Sequence, residues 1–111
     1  MTPQERAEQV ASAMMAKDNA SRSLGMEVAH IAPGAATLTL RVSAEMLNGH
    51  NICHGGYIFT LADSAFAFAC NSYNRLTVAQ QNQITYISPG QLGEMLTATA
   101  SETALTGRSG V

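Results

Sequence analysis

The most distinctive segment of the chain is NGHNICHGGYIFTLADSAFAFACNS, residues 48–72. Loop-forming residues and the pair Gly55-Gly56 precede an almost unbroken apolar run. The segment 55–73 is long enough for about five helical turns and is apolar on nearly every face, which is typical of a helix that is buried on all sides. Asp63 is the one carboxylate in this run. A buried charge is costly unless it is paired or serves a function, so Asp63 is a candidate functional residue.

A shorter helix is predicted at the N-terminus. The sequence TPQE at residues 2–5 supplies a capping threonine, a proline in the first turn and a glutamate three residues after the cap, which is the pattern of a capping box. Apolar residues at helical spacing extend this prediction to about Lys17. Residues 21–24 predict one further turn, which ends at Gly25.

Two segments before the long helix and two after it predict β-strands. They are rich in Thr, Val, Ile or Tyr, or alternate between apolar and polar residues, and the pairs Pro33-Gly34 and Pro89-Gly90 supply turns. The four predicted strands are residues 26–31, 36–42, 76–90 and 93–104. Residues 43–53 predict a loop. One layer of antiparallel sheet wrapped around the long helix accounts for this order, so the chain is predicted to be a single α+β domain, residues 1–111.

The composition narrows the functional classes. The chain has 111 residues, 46% of them hydrophobic and 13% charged, with a formal net charge of −2. No basic cluster is present, which argues against nucleic acid or an anionic membrane surface as a partner, and no apolar run is long enough to span a membrane. The low charge leaves much apolar surface and hints at an oligomer. The N-terminus is charged where a secretory signal would be apolar, so we expect a cytoplasmic protein with reduced cysteines.

A set of residues in and after the central segment has the spacing of a known family. The set consists of Asn48, Gly49, His50, Cys53, His54, Gly55, Gly56, Leu61, Ala62, Asp63 and FAFACNS at 66–72, followed by ITYISPG at 84–90 and GEMLTATA at 93–100. This pattern resembles the signature of hotdog-fold acyl-CoA thioesterases, and most closely the branch that serves phenylacetic acid degradation. The resemblance runs from about Leu24 to the end of the chain. The sequence His54-Gly55-Gly56, with an acid eight residues after the first glycine, is by itself a moderately specific indicator of this family. Together with the preceding asparagine and the following strands, it is a strong indicator.

The resemblance implies a hotdog fold and hydrolysis of acyl-CoA thioesters that carry an aryl-acetyl or similar acyl group. It implies homodimers that pair into homotetramers. It implies Asp63 as nucleophile or general base, and the backbone N–H of Gly55 as the group that polarises the thioester carbonyl. Asn48 and His54 match positions that help to build the site, and Gly56 belongs to the same turn as a substrate-binding residue. Neither a metal nor a cofactor is implied.

The sequence departs from the family pattern at two places. Related thioesterases often place a serine or threonine on the first strand after the helix, facing the site, where this chain has Ala79. Hotdog domains also continue with two more sheet strands, which residues 1–111 do not contain. A sheet without these strands is expected to expose an edge and part of the helix.

The chemistry can also be argued from the residues themselves. A helix N-terminus has N–H groups without partners and favours negative charge, and glycine allows a substrate to approach that backbone closely. The turn before the long helix is therefore a plausible oxyanion hole. Gly55 and Asp63 are separated by roughly 12 Å along a helix, which is too far for one thioester to meet both in the same chain. Antiparallel helices from two subunits would bring them together, which predicts a two-fold dimer with its sites at the interface.

Plainer interpretations stay open for several residues. His50, Cys53 and His54 form a compact cluster, but their spacing matches no familiar zinc pattern. Cys53 has no positive neighbour that would activate it as a nucleophile. Asn48 could cap the loop, and Asp63 could be a paired structural acid. Two functional alternatives also stay open: a non-catalytic acyl-CoA-binding hotdog protein, and a hotdog hydratase or dehydratase.

Overall fold

All the predicted helices and strands form except one strand, and a 3₁₀ turn and a short C-terminal hairpin are added to them. A computed structural model describes residues 1–111. Its elements are α1 (Pro3–Lys17), α2 (Asn19–Ser23), β1 (Glu27–Ala32), β2 (Ala35–Arg41), a 3₁₀ turn (Ala44–Met46), α3 (Gly55–Asn71), β3 (Met95–Ser101), β4 (Leu105–Thr106) and β5 (Ser109–Gly110). Strands β1, β2 and β3 form one antiparallel sheet in that spatial order, and β4 and β5 form a separate short hairpin. No helix is long and apolar enough to cross a membrane.

The predicted capping box at the start of α1 is confirmed. Thr2 Oγ1 accepts a hydrogen bond from the N–H of Glu5 at 3.1 Å, and the Thr2 N–H donates to Glu5 Oε1 at 3.1 Å. These bonds hold the pKa of the Glu5 carboxyl below its ordinary value. At the other end, Asp18 closes α1 and caps α2 by accepting from the N–H of Ser21 at 2.9 Å.

The central strand of the sheet, β2, carries the clearest alternation in the chain. Ala36, Leu38 and Leu40 are fully buried and face the core. Thr37, on the opposite face, exchanges a hydroxyl hydrogen bond of 3.1 Å with its direct partner Thr99 on β3. The hairpin predicted over 26–42 is confirmed, with antiparallel pairing of β1 and β2 around Gly34.

Helix α3 packs one face against β2 and β3, and this face forms the core of the domain together with the inward face of β2. The prediction that the helix is buried on all sides is wrong for the protomer. The buried residues of α3 are Leu61, Ser64, Ala65, Phe68, Ala69 and Asn71. On the opposite face Phe59 and Phe66 are half-buried, and Ala62 and Asp63 are exposed. The sheet covers only one side of the helix, so the apolar residues on the other side are left without a partner in the protomer.

The strand predicted over 76–90 does not form in the protomer. Residues 75–94 adopt no strand, and Leu76 and Ile87 are 96% and 91% exposed. The prediction was based on the content of Thr, Val and Ile. These residues favour strands because their side chains fit a pleated surface, but a strand also needs a neighbouring strand for its backbone hydrogen bonds, which composition does not predict. The segment is nevertheless attached at both ends, by a hydrogen bond of 2.9 Å from Thr77 N–H to Asn71 Oδ1 and one of 2.8 Å from Cys53 N–H to the Gly90 carbonyl.

Candidate active site

The candidate site is built around the first turn of α3. His54 is the N-cap, with extended backbone angles, and its Nδ1 accepts a hydrogen bond from the Gly56 N–H at 2.9 Å. The His54 carbonyl accepts from the Tyr57 N–H at 3.0 Å. The N–H of Gly55 donates to no acceptor in the protomer. It is therefore an N–H group at the positive end of a helix that is available to an external oxygen.

The peptide group between Gly55 and Gly56 is held from both sides. Its N–H donates to His54 Nδ1, and its carbonyl oxygen accepts a hydrogen bond of 3.0 Å from the Tyr86 hydroxyl. The Tyr86 ring also lies against Gly55, since a Cβ at that position would come within 3.0 Å of Tyr86 Cζ. Tyr86 was not identified from the sequence. No spacing rule connects two residues in different elements that meet only through the fold.

Asp63 lies on the uncovered face of α3, two turns beyond the glycines. It is exposed in the protomer, in contrast to the buried position expected from the sequence. The hydrogen bonds of neighbouring α3 side chains run to helix carbonyls, from Thr60 Oγ1 to the Gly56 carbonyl and from Asn71 Nδ2 to the Ala67 carbonyl, and do not involve Asp63. The carboxylate is therefore free to act on a group outside its own chain.

A buried hydroxyl network supports the turn of α3 that carries Asp63. The neighbouring Ser64 Oγ lies 2.7 Å from Ser21 Oγ, and the Ser21 hydroxyl donates to Asp18 Oδ2 at 2.7 Å. Ser21 and Ser64 are both buried. The network connects the junction of α1 and α2 to the middle of α3, and it satisfies two hydroxyls that would otherwise destabilise the core.

Asn48 organises the loop before α3. Its Oδ1 accepts from the His50 N–H at 2.9 Å and from the Ile52 N–H at 3.3 Å. Its backbone N–H donates to the Ile52 carbonyl at 2.8 Å. Asn48 was interpreted either as a loop cap or as a residue that helps to build the site. Its contacts are those of a loop cap, and its side-chain oxygen is already hydrogen-bonded within the loop.

The two cysteines are poorly suited to act as nucleophiles. Cys53 is buried, and burial raises the pKa of its thiol above the ordinary value. Burial is also the main cause of the raised pKa of Cys70, to which the negative charge of Asp63 contributes. Both groups are therefore protonated thiols near neutral pH, and the thiolate is the reactive form. No cluster of three or more His, Cys, Asp or Glu side chains has an arrangement that could hold a metal ion.

The aromatic residues of α3 divide between core and surface. Phe68 is a core residue, whereas Tyr57, Phe59 and Phe66 are only half-buried. Ala79 is exposed in the unpaired segment 75–94 and offers no hydroxyl to the site.

Comparison with known proteins places this fold and turn in one family. The profile of the Thioesterase superfamily matches residues 50–111. The chain is 46% identical to the acyl-coenzyme A thioesterase PaaI of Escherichia coli over 95 residues, which are 86% of this chain and 68% of that protein. It is 35% identical to human acyl-coenzyme A thioesterase 13 over 83% of this chain and 68% of that protein. The chain thus spans about two thirds of the length of these curated relatives.

Solved structures give the same result. The structure of E. coli PaaI, described as a protein of the phenylacetic acid degradation operon, superposes with a TM-score of 0.96 and 41% identity, and covers 98% of this chain and 79% of that chain. A protein of Streptococcus pneumoniae described as a hypothetical thioesterase, solved with coenzyme A, superposes with a TM-score of 0.77 and 26% identity, and the match covers 84% of this chain and 74% of that chain.

A long helix laid on an antiparallel sheet, with a glycine turn at the helix N-terminus, is here the core of a hotdog-fold thioester hydrolase. The chain belongs to the thioesterase superfamily, and within it is a PaaI-like acyl-CoA thioesterase. The sequence-based predictions of the fold and of the family are therefore confirmed.

Proposed function

We propose that this protein hydrolyses aryl-acetyl-CoA thioesters to the free acid and coenzyme A, at sites shared between two protomers. The proposal rests on two groups of α3 that have no hydrogen-bond partner in the protomer. The Gly55 N–H has no acceptor, and the Asp63 carboxylate lies on the uncovered face of the helix. Each group has the character that one half of the reaction needs, and neither has a competing partner in the protomer.

The Gly55 N–H binds the thioester carbonyl oxygen. Negative charge develops on this oxygen as a nucleophile adds to the carbonyl carbon, and the helix N-terminus stabilises that charge. His54 supports the donor because it binds the Gly56 N–H and leaves the Gly55 N–H directed outward. Gly56, exposed beside it, leaves the approach to the turn open for substrate. Loss of one such donor typically lowers the rate by about a hundredfold or more.

Asp63 supplies the nucleophile or the general base. In the first case a carboxylate oxygen bonds to the carbonyl carbon, the C–S bond breaks, coenzyme A leaves as a thiolate that takes up a proton, and water then hydrolyses the mixed anhydride. In the second case Asp63 removes a proton from the water that attacks. A single turnover in ¹⁸O-labelled water distinguishes them when water cleaves the anhydride at its aspartyl carbon, because the product then carries an unlabelled oxygen from Asp63 and the label stays on Asp63, whereas direct water attack labels the product.

The partner protomer provides the second half of each site. Gly55 and Asp63 of one chain are roughly 12 Å apart along α3, which exceeds the reach of one reacting carbonyl. The uncovered, largely apolar face of α3 suits antiparallel packing against the same face of a second copy. In such a dimer, Asp63 of one chain lies beside the glycine turn of the other. Two dimers then pair into a homotetramer.

The proposed substrate is supported by the similarity to relatives, and the proposed compartment by the free cysteines. An aryl-acetyl group of the phenylacetyl or hydroxyphenylacetyl type is inferred from the similarity to PaaI. Coenzyme A as the thiol part is supported by the related S. pneumoniae thioesterase that was solved with it. The chain uses no metal or cofactor in this scheme, and a cytoplasmic location suits both the substrate and the reduced cysteines.

The test is release of free thiol from phenylacetyl-CoA, its hydroxylated analogue and a straight-chain acyl-CoA. We expect the wild type to turn over the aryl substrates and Asp63→Asn to lose most of this activity while it keeps its oligomeric state. Glu8→Gln, which neutralises an exposed acid on α1, is the matched control and should retain full activity. Equal inactivity of the wild type and Asp63→Asn, with acyl-CoA still bound, would favour a binding protein. Hydration of crotonyl-CoA would favour a hydratase.

A further inference from the structure

The Gly55-Gly56 peptide group is the one part of the candidate site that two side chains hold from opposite directions. His54 Nδ1 binds its N–H at 2.9 Å, and the Tyr86 hydroxyl binds its carbonyl oxygen at 3.0 Å. We propose that Tyr86 is a positioning residue that holds the Gly55-Gly56 peptide in the orientation in which the Gly55 carbonyl oxygen points away from the oxyanion hole. This inference rests on the proposed role of the Gly55 N–H.

A peptide between two glycines needs such support. Without Cβ atoms on either side, its rotation meets little steric resistance, because glycine tolerates backbone angles that other residues avoid. In the helical orientation, the Gly56 N–H points toward the N-terminal end of α3, on the same side as the Gly55 N–H. Rotation of this peptide would direct the Gly55 carbonyl oxygen to that side. The partial negative charge of the carbonyl would then oppose the anionic oxygen that the turn is meant to stabilise.

Tyr86 is held where it can prevent this rotation. The segment that carries it is joined to the loop before α3 by the hydrogen bond from Cys53 N–H to the Gly90 carbonyl. Gly90 is buried, and a Cβ added to it would lie 3.1 Å from the Cβ of Cys53. The ring of Tyr86 lies against Gly55, so close that a methyl group on Gly55 would contact it at 3.0 to 3.2 Å. The ring and the hydroxyl thus fix the glycine turn from the side opposite His54.

The variant Tyr86→Phe removes only the hydroxyl and leaves the ring in contact with Gly55. We expect kcat for phenylacetyl-CoA to fall by about tenfold with KM changed by less than about twofold, since a rotated Gly55 carbonyl opposes the charge of the transition state while substrate binding is retained. Tyr73→Phe is the matched control. Tyr73 also donates its hydroxyl, to the Glu102 carboxylate, but its contacts lie at Gly34 and not at the glycine turn.

A second readout follows the peptide itself and needs no activity. Labelling the nine glycines with ¹⁵N gives a small set of amide signals. We expect the Gly56 amide to shift and to exchange faster with solvent in Tyr86→Phe, and to be unchanged in Tyr73→Phe. An unchanged Gly56 amide overturns the inference, as does an altered amide with an unchanged kcat, or an equal loss of kcat in Tyr73→Phe. An inactive wild type would instead refute the proposed function.

Discussion

His54 shows how a single side chain can prepare a helix terminus for an external ligand. Its ring nitrogen and its carbonyl oxygen satisfy the N–H groups of Gly56 and Tyr57, and the N–H of Gly55 is left over. Only an unprotonated Nδ1 can accept this hydrogen bond. The cap therefore depends on this ring nitrogen as an acceptor, and the role of His54 in shaping the site stays a prediction.

Substitution of His54 tests this capping role. His54→Ala removes the acceptor, and we expect the free energy of unfolding to fall by about 1 kcal/mol. His54→Asn restores an acceptor of a type favoured at this position, and it should recover most of the loss. Urea denaturation at a fixed protein concentration measures both variants. If both lose the same stability, the hydrogen bond to Gly56 does not stabilise α3.

The individual site residues were predicted from the sequence to different degrees. Gly55 followed from the physics of a helix start, because the first N–H groups of any helix lack partners. The exposure of Asp63 did not follow, since an apolar run shows that a helix needs covering but not whether its own chain covers it. The role of Tyr86 could not be predicted from the sequence. Its contact with Gly55 spans 31 residues and joins a segment without regular structure to a helix.

At the level of elements, the turn between β1 and β2 is fixed by one glycine. Gly34 has φ of +75°, a conformation that costs a residue with a side chain about 1–2 kcal/mol. It also lies against Tyr73, whose hydroxyl would be 2.5 Å from an added Cβ, and its N–H donates to Ser72 Oγ at 2.7 Å. The C-terminal end of α3 is thus attached directly to the hairpin turn.

The variant Gly34→Ala should be more destabilising than Gly25→Ala. Both glycines have φ of +75°, but an added Cβ at Gly25 meets nothing within 4 Å. We therefore expect the free energy of unfolding to fall by about 1–2 kcal/mol in both variants because of the backbone conformation. In Gly34→Ala it should fall further because of the contact with Tyr73. Removing the hydroxyl in the double variant Gly34→Ala/Tyr73→Phe should recover that extra loss. Urea denaturation checks this, and equal losses in the two single variants would show that Tyr73 simply moves aside.

The elements differ in how well local sequence predicts them. The helices α1 and α3 and the hairpin of β1 and β2 formed as expected, because caps, apolar spacing and a turn glycine act within a few residues. The segment 76–90 did not, although its composition favours strand. A strand is stable only with a neighbour that accepts its backbone hydrogen bonds, and no local pattern specifies that neighbour.

At the scale of the whole molecule, the uncovered apolar surface is concentrated in one part of the chain. The large exposed apolar side chains between Tyr73 and Leu105 are Leu76, Val78, Ile84, Tyr86, Ile87, Leu92 and Met95. The outward face of α3 adds Phe59, Ala62 and Phe66. Exposed apolar surface of this kind marks interaction sites. The proposed two-fold dimer would cover the helix face and would complete each active site.

The most direct test of this account is complementation between two inactive variants. Asp63→Asn removes the acid, and Gly55→Pro removes the N–H at the first helical position. Proline is favoured at that position, and the extended backbone of His54 suits a residue before proline. The proline Cβ would lie 3.0 Å from the Tyr86 ring, which must move aside, so the variant is first shown to fold and to form dimers. If each site takes Gly55 from one protomer and Asp63 from the other, a mixed dimer contains one intact site. Unfolding and refolding an equal mixture of the two variants should then restore about a quarter of the wild-type thioesterase activity, since about half the dimers are mixed. A mixture that stays as inactive as the separate variants, with mixed dimers shown to form, would contradict the shared site.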